Sequence, residues 1–461
     1  MIALDLRALA LFRIGLGGLL ILDLVLRSQD LLSHYTDMGV LPLSLVPPTS
    51  LLGTWIAPHL MVSSPNLAGA LFALTGMAAI GLIIGFKTRW MVAICWLLFH
   101  SLHIRNPFII HAGDRVLILM LFWSFFLPLD RHYSKFSQTP GQTGAPNTLI
   151  ASFATAGILL QLAIVYFVGA LRKTGAMWQD GTAIWYVLQI DQYALPWTRA
   201  FIDYPGLLKG LTWTTLGIEF IAPLLLFAGP NRARIIGLAL LAMLQVSFFL
   251  TLDLGLFPVI SIVALLFAIP FPNMKSRERA TSNIAAQPLD LRNRIAAYMA
   301  VILVLWSTFT LFKYPEELKE SLPRSIRSGL ELIRFDSYWS MFAPNPMTID
   351  GWYVIAAKTE TGEDVNLIAS EAPLTWEKPH SVSKSFPSDR WKEFLMTLSD
   401  LGDPQQLWAE TVKTFVRSYE ATHAEKIVKE SIRVVYMMER TTPIGESTPI
   451  QEQAWPKEDS F

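Results

Sequence analysis

The chain has 461 residues, of which 52% are hydrophobic and only 16% are charged. A soluble chain usually carries about 25% charged residues, and runs of about 20 apolar residues recur here, so the composition excludes an ordinary soluble protein and indicates a polytopic membrane protein. The formal net charge is zero, so no nucleic-acid partner is predicted, and the single cysteine, Cys95, cannot form a disulfide within the chain.

Apolar stretches predict an all-α membrane bundle of about nine transmembrane helices. They cover roughly residues 8–26, 67–86, 90–104, 115–129, 148–171, 208–229, 233–251, 254–271 and 294–313. The first holds Arg13 and Asp23 and is followed by no small-residue cleavage site, which argues against a cleavable signal peptide. The third and fourth are short, which is typical of tilted spans or of a joint re-entrant shape. We predict a transmembrane domain at 1–272, a cytoplasmic loop at 273–293 and a final span at 294–313.

Positive charges predict the orientation of these spans. Lysines and arginines concentrate in the loops after the second, fourth, sixth and eighth spans, at Lys87, Arg89, Arg131, Lys135, Arg232, Arg234, Lys275, Arg277, Arg279, Arg292 and Arg294. Such loops are usually cytoplasmic, so we expect a cytoplasmic N-terminus and a periplasmic tail. The loop after the fifth span is an exception on the outer side, because it begins with Arg172 and Lys173.

The tail differs in composition from the rest of the chain, since charge density rises and long apolar runs stop near residue 316. We predict a small α+β extramembrane domain at residues 314–461. Residues 351–368 are typical of two strands around a Thr-Gly turn, and 430–442 of a final strand. Residues 388–401 and 404–422 have the apolar spacing of helices. The last residues, 443–461, are expected to be frayed.

Charged residues inside predicted spans are costly, so each is a candidate functional residue. Arg13, Asp23 and Glu219 are the clearest, and the alternative is structural pairing inside the bundle. The segment HIRNPFIIHAGDRVL (103–117) places His111, Asp114 and Arg115 between two short spans. Its histidine spacing matches no standard zinc pattern and no cysteine accompanies it, so no metal is expected.

Lys173 allows two interpretations. A lysine at the membrane edge commonly extends its amine to the aqueous interface, and this is the simpler interpretation. Alternatively, a lysine at a dry interface has its charged form disfavoured, so it can act as a base near neutral pH. The neighbouring Arg172 acts in the same direction, and aromatic residues such as Trp178 belong either to a flat apolar pocket or to an interfacial belt.

Several segments together resemble the HTTM (horizontally transferred transmembrane) domain family, which is related to vitamin K-dependent gamma-glutamyl carboxylase. ALFRIGLGGLLILDLVLR and HYTDMGVLP resemble the family's opening, and RNPFIIHAGDRVL resembles its RNP…GGD segment. YFVGALRKTGAMWQDGTAIWYVLQ resembles the stretch around the carboxylase base, and FDSYWSMFAPNPMTIDGWYV resembles one found downstream of bacterial HTTM domains. The resemblance covers about residues 5–272.

The resemblance implies a catalytic site on the outer side. Arg172 stands where the family has a first lysine, and Lys173 stands where it has the proposed base. In the carboxylase this base deprotonates a reduced naphthoquinone of the vitamin K or menaquinone type, which then reacts with oxygen and allows a glutamyl side chain to be carboxylated. Arg172, Trp178 and Asp180 would shape the pocket, and Glu219, Arg13, Asp114 and His111 would form its polar surroundings. A bacterial inner membrane is the expected location.

The sequence also departs from the carboxylase pattern. Gly113 or Asp114 stands where the carboxylase has an assisting histidine, with His111 nearby but offset. One cysteine cannot make the carboxylase's disulfide, and its outer region is replaced by a shorter domain. The alternative function is therefore a non-catalytic membrane scaffold or maturation factor whose periplasmic domain binds a client. In that case WSMFAPNPM (339–347) is a docking or membrane-surface segment, or it simply packs on the bundle. A peptide or protein substrate and the lipid bilayer are the predicted partners.

Overall fold

The computed structural model describes residues 2–48, 51–134, 149–228, 231–271, 284–286, 290–312, 315–369, 373–401, 404–442, 445–446 and 450–456. Most of the predicted cytoplasmic loop 273–293 lies outside these residues, as does Lys135.

Helices dominate the first two thirds of the chain. Their bounds are α1 Leu6–Gln29, α2 Leu31–Tyr35, α3 Leu51–Trp55, α4 Pro65–Ile84, α5 Thr88–Arg105, α6 Ala112–Ser124, α7 Phe153–Arg172, α8 Ala176–Gln179, α9 Ala183–Val187, α10 Pro205–Phe227, α11 Asn231–Thr251, α12 Phe257–Leu265 and α13 Leu291–Phe312. Short 3₁₀ turns lie at Leu43–Leu45, Pro58–Met61, Pro107–Ile109, Pro196–Phe201 and Leu266–Ala268. A helix therefore lies at each of the nine predicted positions.

The predicted count of nine spans is not confirmed. Among the described residues, six helices are long and apolar enough to cross a membrane, namely α1, α4, α7, α10, α11 and α13. The other three, α5, α6 and α12, are shorter or less apolar. A hydrocarbon core of about 30 Å needs about 20 residues at 1.5 Å each, and the 13 residues of α6 reach only about 20 Å. The six apolar helices indicate a multi-pass membrane protein.

One end of the bundle is closed by a small sheet. Strand β1 (Ala3–Asp5) pairs antiparallel with β2 (Leu149–Ala151), which pairs parallel with β3 (Ile284–Ala286). The guanidinium of Arg234 donates a hydrogen bond to the carbonyl of Ala3 at 3.1 Å. This end therefore gathers the starts of α1, α7 and α11.

The C-terminal part is a small α+β unit at the other end of the bundle. Its elements are α14 Pro315–Ser321, α15 Arg324–Ile333, β4 Ile349–Thr359, β5 Asp364–Asn366, a 3₁₀ turn Val382–Lys384, α16 Asp389–Asp400, α17 Gln405–Thr422, β6 Ile427–Thr442, β7 Gly445–Glu446 and β8 Ile450–Trp455. The sheet is antiparallel in the order β5-β4-β6-β7, with β8 also paired to β6. The central β4–β6 register runs from Ile349 opposite Arg440 to Thr359 opposite Ile427.

The two predicted tail helices and the three predicted strands are present. The expectation that residues 443–461 are frayed is wrong for part of this range, because β8 forms a ladder with β6 from Val434 to Met438. The backbone of a strand has two hydrogen-bonding edges, and because β4 occupies one edge of β6, β8 pairs with the other. Residues 443–444, 447–449 and 457–461 lie outside the described residues.

A buried ionic cluster joins the bundle to the C-terminal unit. Arg27 contacts Asp23 and Asp114 at 2.6 Å each, and Arg390 from α16 contacts Asp114 at 2.5 Å and Asp23 at 2.9 Å. All four side chains are at most 7% exposed. Two guanidinium groups therefore balance two carboxylates in a region that excludes water, where an unpaired charge is strongly disfavoured.

Replacement of Arg390 tests this junction. Arg390→Met leaves two buried carboxylates with one guanidinium, and breaking a buried pair costs about 3–5 kcal/mol, so we expect a clearly lower Tm and faster proteolysis of residues beyond α13. The measurement is thermal unfolding and limited proteolysis of the detergent-purified protein. The matched control is Arg417→Met, since Arg417 is exposed on α17. An equal Tm for the two variants would contradict a stabilising role for the cluster.

Candidate functional site

Lys173 lies where α7 ends at the C-terminal-unit side of the bundle. α7 begins with a capping box in which Ser152 and Thr155 satisfy each other's backbone N–H groups, and it runs for 20 residues to Arg172. The backbone N–H of Lys173 donates to the carbonyl of Ala170 at 3.1 Å, and the chain then turns away from the helix axis. Lys173 is only 8% exposed. Its amine therefore does not extend into bulk water. This differs from the simpler interpretation of the sequence, in which the amine reaches the aqueous interface.

The amine of Lys173 has two partners. Its Nζ donates to Oε2 of Glu219 on α10, and both side chains are buried. The same Nζ lies 4.9 Å from the ring centroid of Trp178. A carboxylate and the negative face of an aromatic ring both stabilise an ammonium group, so the lysine is held in one position by opposing walls.

A cavity of about 370 Å³ opens beside this pair. This volume lies within the range of about 300–1,000 Å³ that ligand pockets occupy. Its walls come from the bundle, from the loop after α7 and from the C-terminal unit, and they comprise Ile110, His111, Ala112, Arg115, Val165, Tyr166, Gly169, Lys173, Tyr193, Glu219, Gln245, Phe248, Leu254, Phe257, Tyr338, Trp339, Ser340, Met341, Phe342, Met347 and Glu393. Mostly apolar walls with a few polar groups are typical of small-molecule sites.

The polar groups of the cavity are varied. Lys173 and Arg115 are cationic, whereas Glu219 and Glu393 are acidic. Gln245 donates its Nε2 hydrogen to the hydroxyl of Tyr166 at 3.0 Å, but its Oε1 has no hydrogen-bond partner among the described residues. Because a buried acceptor without a donor is costly, this oxygen is suited to receive a hydrogen bond from a bound molecule.

Glu393 reaches the cavity from the C-terminal unit. It lies on α16, which is anchored by Arg390 in the ionic cluster and by Lys392, whose Nζ donates to the carbonyl of Asp253 at 2.9 Å. Burial raises the pKa of Glu393 to about 7, although the charges of Lys392 and Arg390 oppose the shift. A carboxyl group with this pKa can both give and take a proton near neutral pH.

The segment 339–347 packs on the loop after α7. The indole N–H of Trp178 donates to the carbonyl of Phe342 at 2.9 Å, and the backbone N–H of Gly175 donates to the carbonyl of Pro344 at 3.0 Å. A Cβ at Gly175 would lie 2.1 Å from Oδ1 of Asn345, so any larger residue there would have to displace the Asn345 side chain. These contacts favour the interpretation in which the segment packs on the bundle. The segment also forms one wall of the cavity.

The structure brings three of the predicted site residues together with Lys173. His111 and Glu219 line the cavity, and Trp178 contacts the lysine from its side. Arg172 points elsewhere, because it donates to the carbonyl of Thr310 at 2.7 Å and stacks on Tyr338 at 3.6 Å. Tyr338 in turn lines the cavity, so Arg172 supports this part of the cavity wall.

Three other predicted residues are placed away from the cavity. Asp180 is exposed and is not part of its walls. Arg13 lies near the small sheet at the opposite end of the bundle, where its Nη2 donates to the carbonyl of Tyr133 at 2.7 Å. Asp114 belongs to the ionic cluster and also forms a capping box with His111, whose side chain accepts a hydrogen bond from the Asp114 backbone. Asp114 can therefore position His111 without contacting a ligand.

Several cavity residues were not predicted from the sequence as site residues. Gln245 carried a signal, since it is a polar side chain inside an apolar span. The sequence allows Tyr193 to line a flat apolar pocket or to lie in an interfacial belt, and it places Arg115 only in the turn between two short spans. Glu393 carried no signal, because it lies on an amphipathic helix with several other charged residues.

A separate acidic group lies between the loop after α9 and the sheet. The carboxylates of Asp191, Asp350 and Glu439 are close enough to share a metal ion. However, Lys378 already pairs with Asp191 and Glu439, and Oδ2 of Asp350 accepts the backbone N–H of Asp191 at 2.6 Å. Burial and the neighbouring carboxylates raise the pKa of Asp350 to about 7. Lys378 and Arg199, which pairs with Asp191 at 2.7 Å, therefore already supply positive charge to this group.

Comparison with known proteins agrees with the resemblance in the sequence. A family model described as the HTTM domain matches residues 3–271, which is more than half of the chain. No protein of curated function and no solved structure is significantly similar to the chain. The match includes Lys173 and Glu219, whereas Glu393 and the segment 339–347 lie beyond it. The chain belongs to the HTTM domain family.

Proposed function

We propose that this HTTM-domain membrane protein is an enzyme that uses Lys173 as a base and carboxylates glutamyl side chains with a reduced quinone, as in the related vitamin K-dependent carboxylases. The observation that carries the proposal is the burial of the Lys173 amine in the wall of a cavity large enough for a ligand. Catalytic groups are commonly placed in such clefts, away from water and between partners that hold them in position.

The cavity suits a flat aromatic ring with oxygen substituents. Its aromatic walls include Phe248, Phe257, Trp339 and Phe342, which offer stacking surfaces. Oε1 of Gln245 would accept a hydrogen bond from a ring hydroxyl, and Nζ of Lys173 would face another. When bound and supplied with oxygen, a reduced naphthoquinone supplies the strong base that removal of a glutamyl γ-proton requires.

The chain's own residues would bind the reactants and move protons. Glu219 contacts the Lys173 amine, so it would hold this amine at the cavity wall and relay the proton that the amine takes from a bound molecule. Arg115 offers a guanidinium to a substrate carboxylate, a pairing that is strong because both groups are charged and planar. Glu393, with a pKa near 7, would exchange protons between the cavity and solvent.

A non-catalytic scaffold is the second candidate function. It is supported by the same ion pair, because Lys173 and Glu219 satisfy each other without a ligand. In this case the pair only holds α7 against α10, and the C-terminal unit binds a client. The two functions differ in what happens when the pair is replaced by apolar residues.

The first test is carboxylation by the Lys173→Ala variant. Purified protein is supplied with reduced menaquinone, labelled bicarbonate, oxygen and glutamate-containing peptides. Because a general base contributes about 10²–10⁴-fold to a rate, we expect incorporation of label to fall at least a hundredfold. Lys209→Ala is the matched control, since Lys209 is exposed at the start of α10. Incorporation by both variants at the wild-type rate would rule out the lysine as base, and none by wild type would rule out the reaction under these conditions.

Replacement of the whole pair separates catalysis from packing. Lys173→Met alone leaves the buried Glu219 without its partner, so we expect a lower Tm. Lys173→Met combined with Glu219→Leu removes both charges, and such replacements are often neutral or stabilising. If the site is catalytic, the double variant keeps the wild-type Tm in differential scanning fluorimetry but loses carboxylation. Retained carboxylation in this variant would contradict the enzymatic role of Lys173.

The pH dependence of stability tests the state of Glu393. Its folded-state pKa of about 7 exceeds the usual value of 4.5, so its protonated form stabilises the folded protein below about pH 4.5, and this contribution is lost as the pH rises through 7. Glu393→Gln cannot lose a proton, so its Tm relative to wild type should be higher at pH 8 than at pH 5. The corresponding change in the free energy of unfolding is on the order of 3 kcal/mol at most. The exposed Glu430→Gln should show no such trend, and a flat difference for Glu393→Gln would contradict the raised pKa.

A further inference from the structure

A second cavity of about 410 Å³ lies in the C-terminal unit, at its border with the bundle. The loop after α9, the strands β4, β6 and β8, the end of α16 and the start of α17 contribute to its walls. Its volume lies within the range that small-molecule sites occupy. Apart from Gln192 and Tyr193, its lining residues lie beyond the part of the chain that matches the HTTM family, so the family match does not account for this cavity.

Aromatic rings from three elements form the floor of this cavity. Tyr353 on β4 packs against Trp408 on α17 and Tyr436 on β6, with ring centroids at 5.4 Å and 4.8 Å, and these three rings are the aromatic floor. The Tyr353 hydroxyl donates to the carbonyl of Leu395 at 3.2 Å. The Tyr436 hydroxyl accepts a hydrogen bond from Nε2 of Gln192 at 3.1 Å. Because these hydroxyls already have protein partners, the floor offers a ligand mainly its π surfaces.

Two exposed carboxylates stand at the rim of the cavity. Asp400 ends α16 and Glu452 lies on β8, so they come from separate elements. Burial is the main cause that raises the pKa of the Tyr353 hydroxyl, and the charges of both carboxylates add to the rise, which places them near the same ring. Within the described part of the chain, neither carboxylate forms an ion pair and no lining residue is a lysine, arginine or histidine. These walls therefore supply negative charge alone.

An alkyl-substituted ammonium group fits both the rim and the floor. Its positive charge is attracted by carboxylates and by the negative faces of aromatic rings. A quaternary ammonium is bulky and weakly hydrated, so it loses little when it leaves water, whereas a primary ammonium is a strongly hydrated point charge. Tyr353 and Trp408 are buried, and their rings do not replace the hydrogen bonds that a primary ammonium makes with water. The cavity therefore favours the quaternary group, and it repels anions.

We propose that this cavity binds a small organic cation, whose quaternary ammonium group lies over the aromatic floor and pairs with Asp400 and Glu452. The alkyl part of the ligand packs against Met396 and Met438, which are adaptable side chains of the same walls. The ammonium belongs either to a soluble ion or to a lipid head group, and the two sources share this chemistry. The proposal goes beyond carboxylation and does not rest on it, since binding needs neither the lysine base nor a quinone.

The test is equilibrium binding of radiolabelled choline to the full-length protein purified in dodecyl maltoside. The competitors are ethanolamine, which carries a primary ammonium, and the neutral isostere of choline, in which a carbon atom replaces the quaternary nitrogen. We expect choline to bind about tenfold more tightly than the neutral isostere and more tightly than ethanolamine, with an affinity that falls as salt is added. Equal affinities for choline and the isostere, or tighter binding of ethanolamine, would overturn the proposal.

Replacement of the rim carboxylates tests the charge contacts. Asp400→Asn with Glu452→Gln should weaken choline binding about fivefold, since each exposed charge contact contributes a few-fold. The matched control is Asp364→Asn with Glu360→Gln, which removes two exposed carboxylates of the same unit outside the cavity and should leave the affinity unchanged. Equal effects of the two double variants would contradict the site. Lys173→Ala should bind choline as wild type does, so failure of this site and failure of carboxylation are distinguishable.

A pair of variants at Tyr436 tests the aromatic floor. Tyr436→Leu removes one ring and should weaken choline binding about threefold, whereas Tyr436→Phe keeps the ring and should bind as wild type does. Thermal unfolding shows whether both variants fold. If the leucine variant does not fold, the exposed rim variants still decide the question. Equal choline affinity of the folded leucine and phenylalanine variants would contradict a contact with the ring.

A short-chain phosphatidylcholine distinguishes the two sources of the ammonium group. Stronger competition by this lipid than by unlabelled choline assigns the site to a lipid head group, and weaker competition assigns it to a soluble cation. Both results support an ammonium site, provided that the preferred competitor loses affinity in the double variant of Asp400 and Glu452. Undiminished binding of that competitor to the double variant would place it elsewhere on the protein and overturn the proposal.

Discussion

The balance of two arginines and two aspartates in a water-poor region is the constraint on which the rest of the structure depends. Arg27, Asp23 and Asp114 lie on two helices of the bundle, and together these three side chains carry a net charge of −1. Arg390 neutralises it from the C-terminal unit. Because a buried unpaired charge is strongly disfavoured, α16 must dock at this point and in one orientation. Docking then carries Glu393 into the Lys173 cavity and brings Lys392 to the start of α12.

The cavity is consequently a composite of three parts of the chain. The family-matched bundle contributes the lysine, its carboxylate partner and most of the apolar wall. The segment 339–347 and Glu393 complete the wall from outside the matched region. A site divided in this way allows the bundle to keep its chemistry while the C-terminal unit varies the molecules that reach it, since function depends on the site and not on the fold alone.

The helices could be predicted because an apolar run marks each of the nine positions, although only six of the described helices are long and apolar enough to cross a membrane. The site was harder to predict because position along a helix matters as much as residue type. Arg13 and Asp23 are both charges in the first span, but ten residues separate them by about 15 Å, and they lie toward opposite ends of the bundle. Arg390 and Glu393 are charges on an amphipathic helix, and only tertiary docking turns them inward.

Gly175 links two segments that are 170 residues apart in the chain. Its missing side chain admits the amide of Asn345 within 2.1–2.4 Å of where a Cβ would stand. These two positions cannot change independently: a larger residue at the first requires a smaller one at the second, or else the wall beside the lysine is displaced. In a set of related sequences they should therefore covary, and the turn after α7 should be inherited together with the tail that covers it.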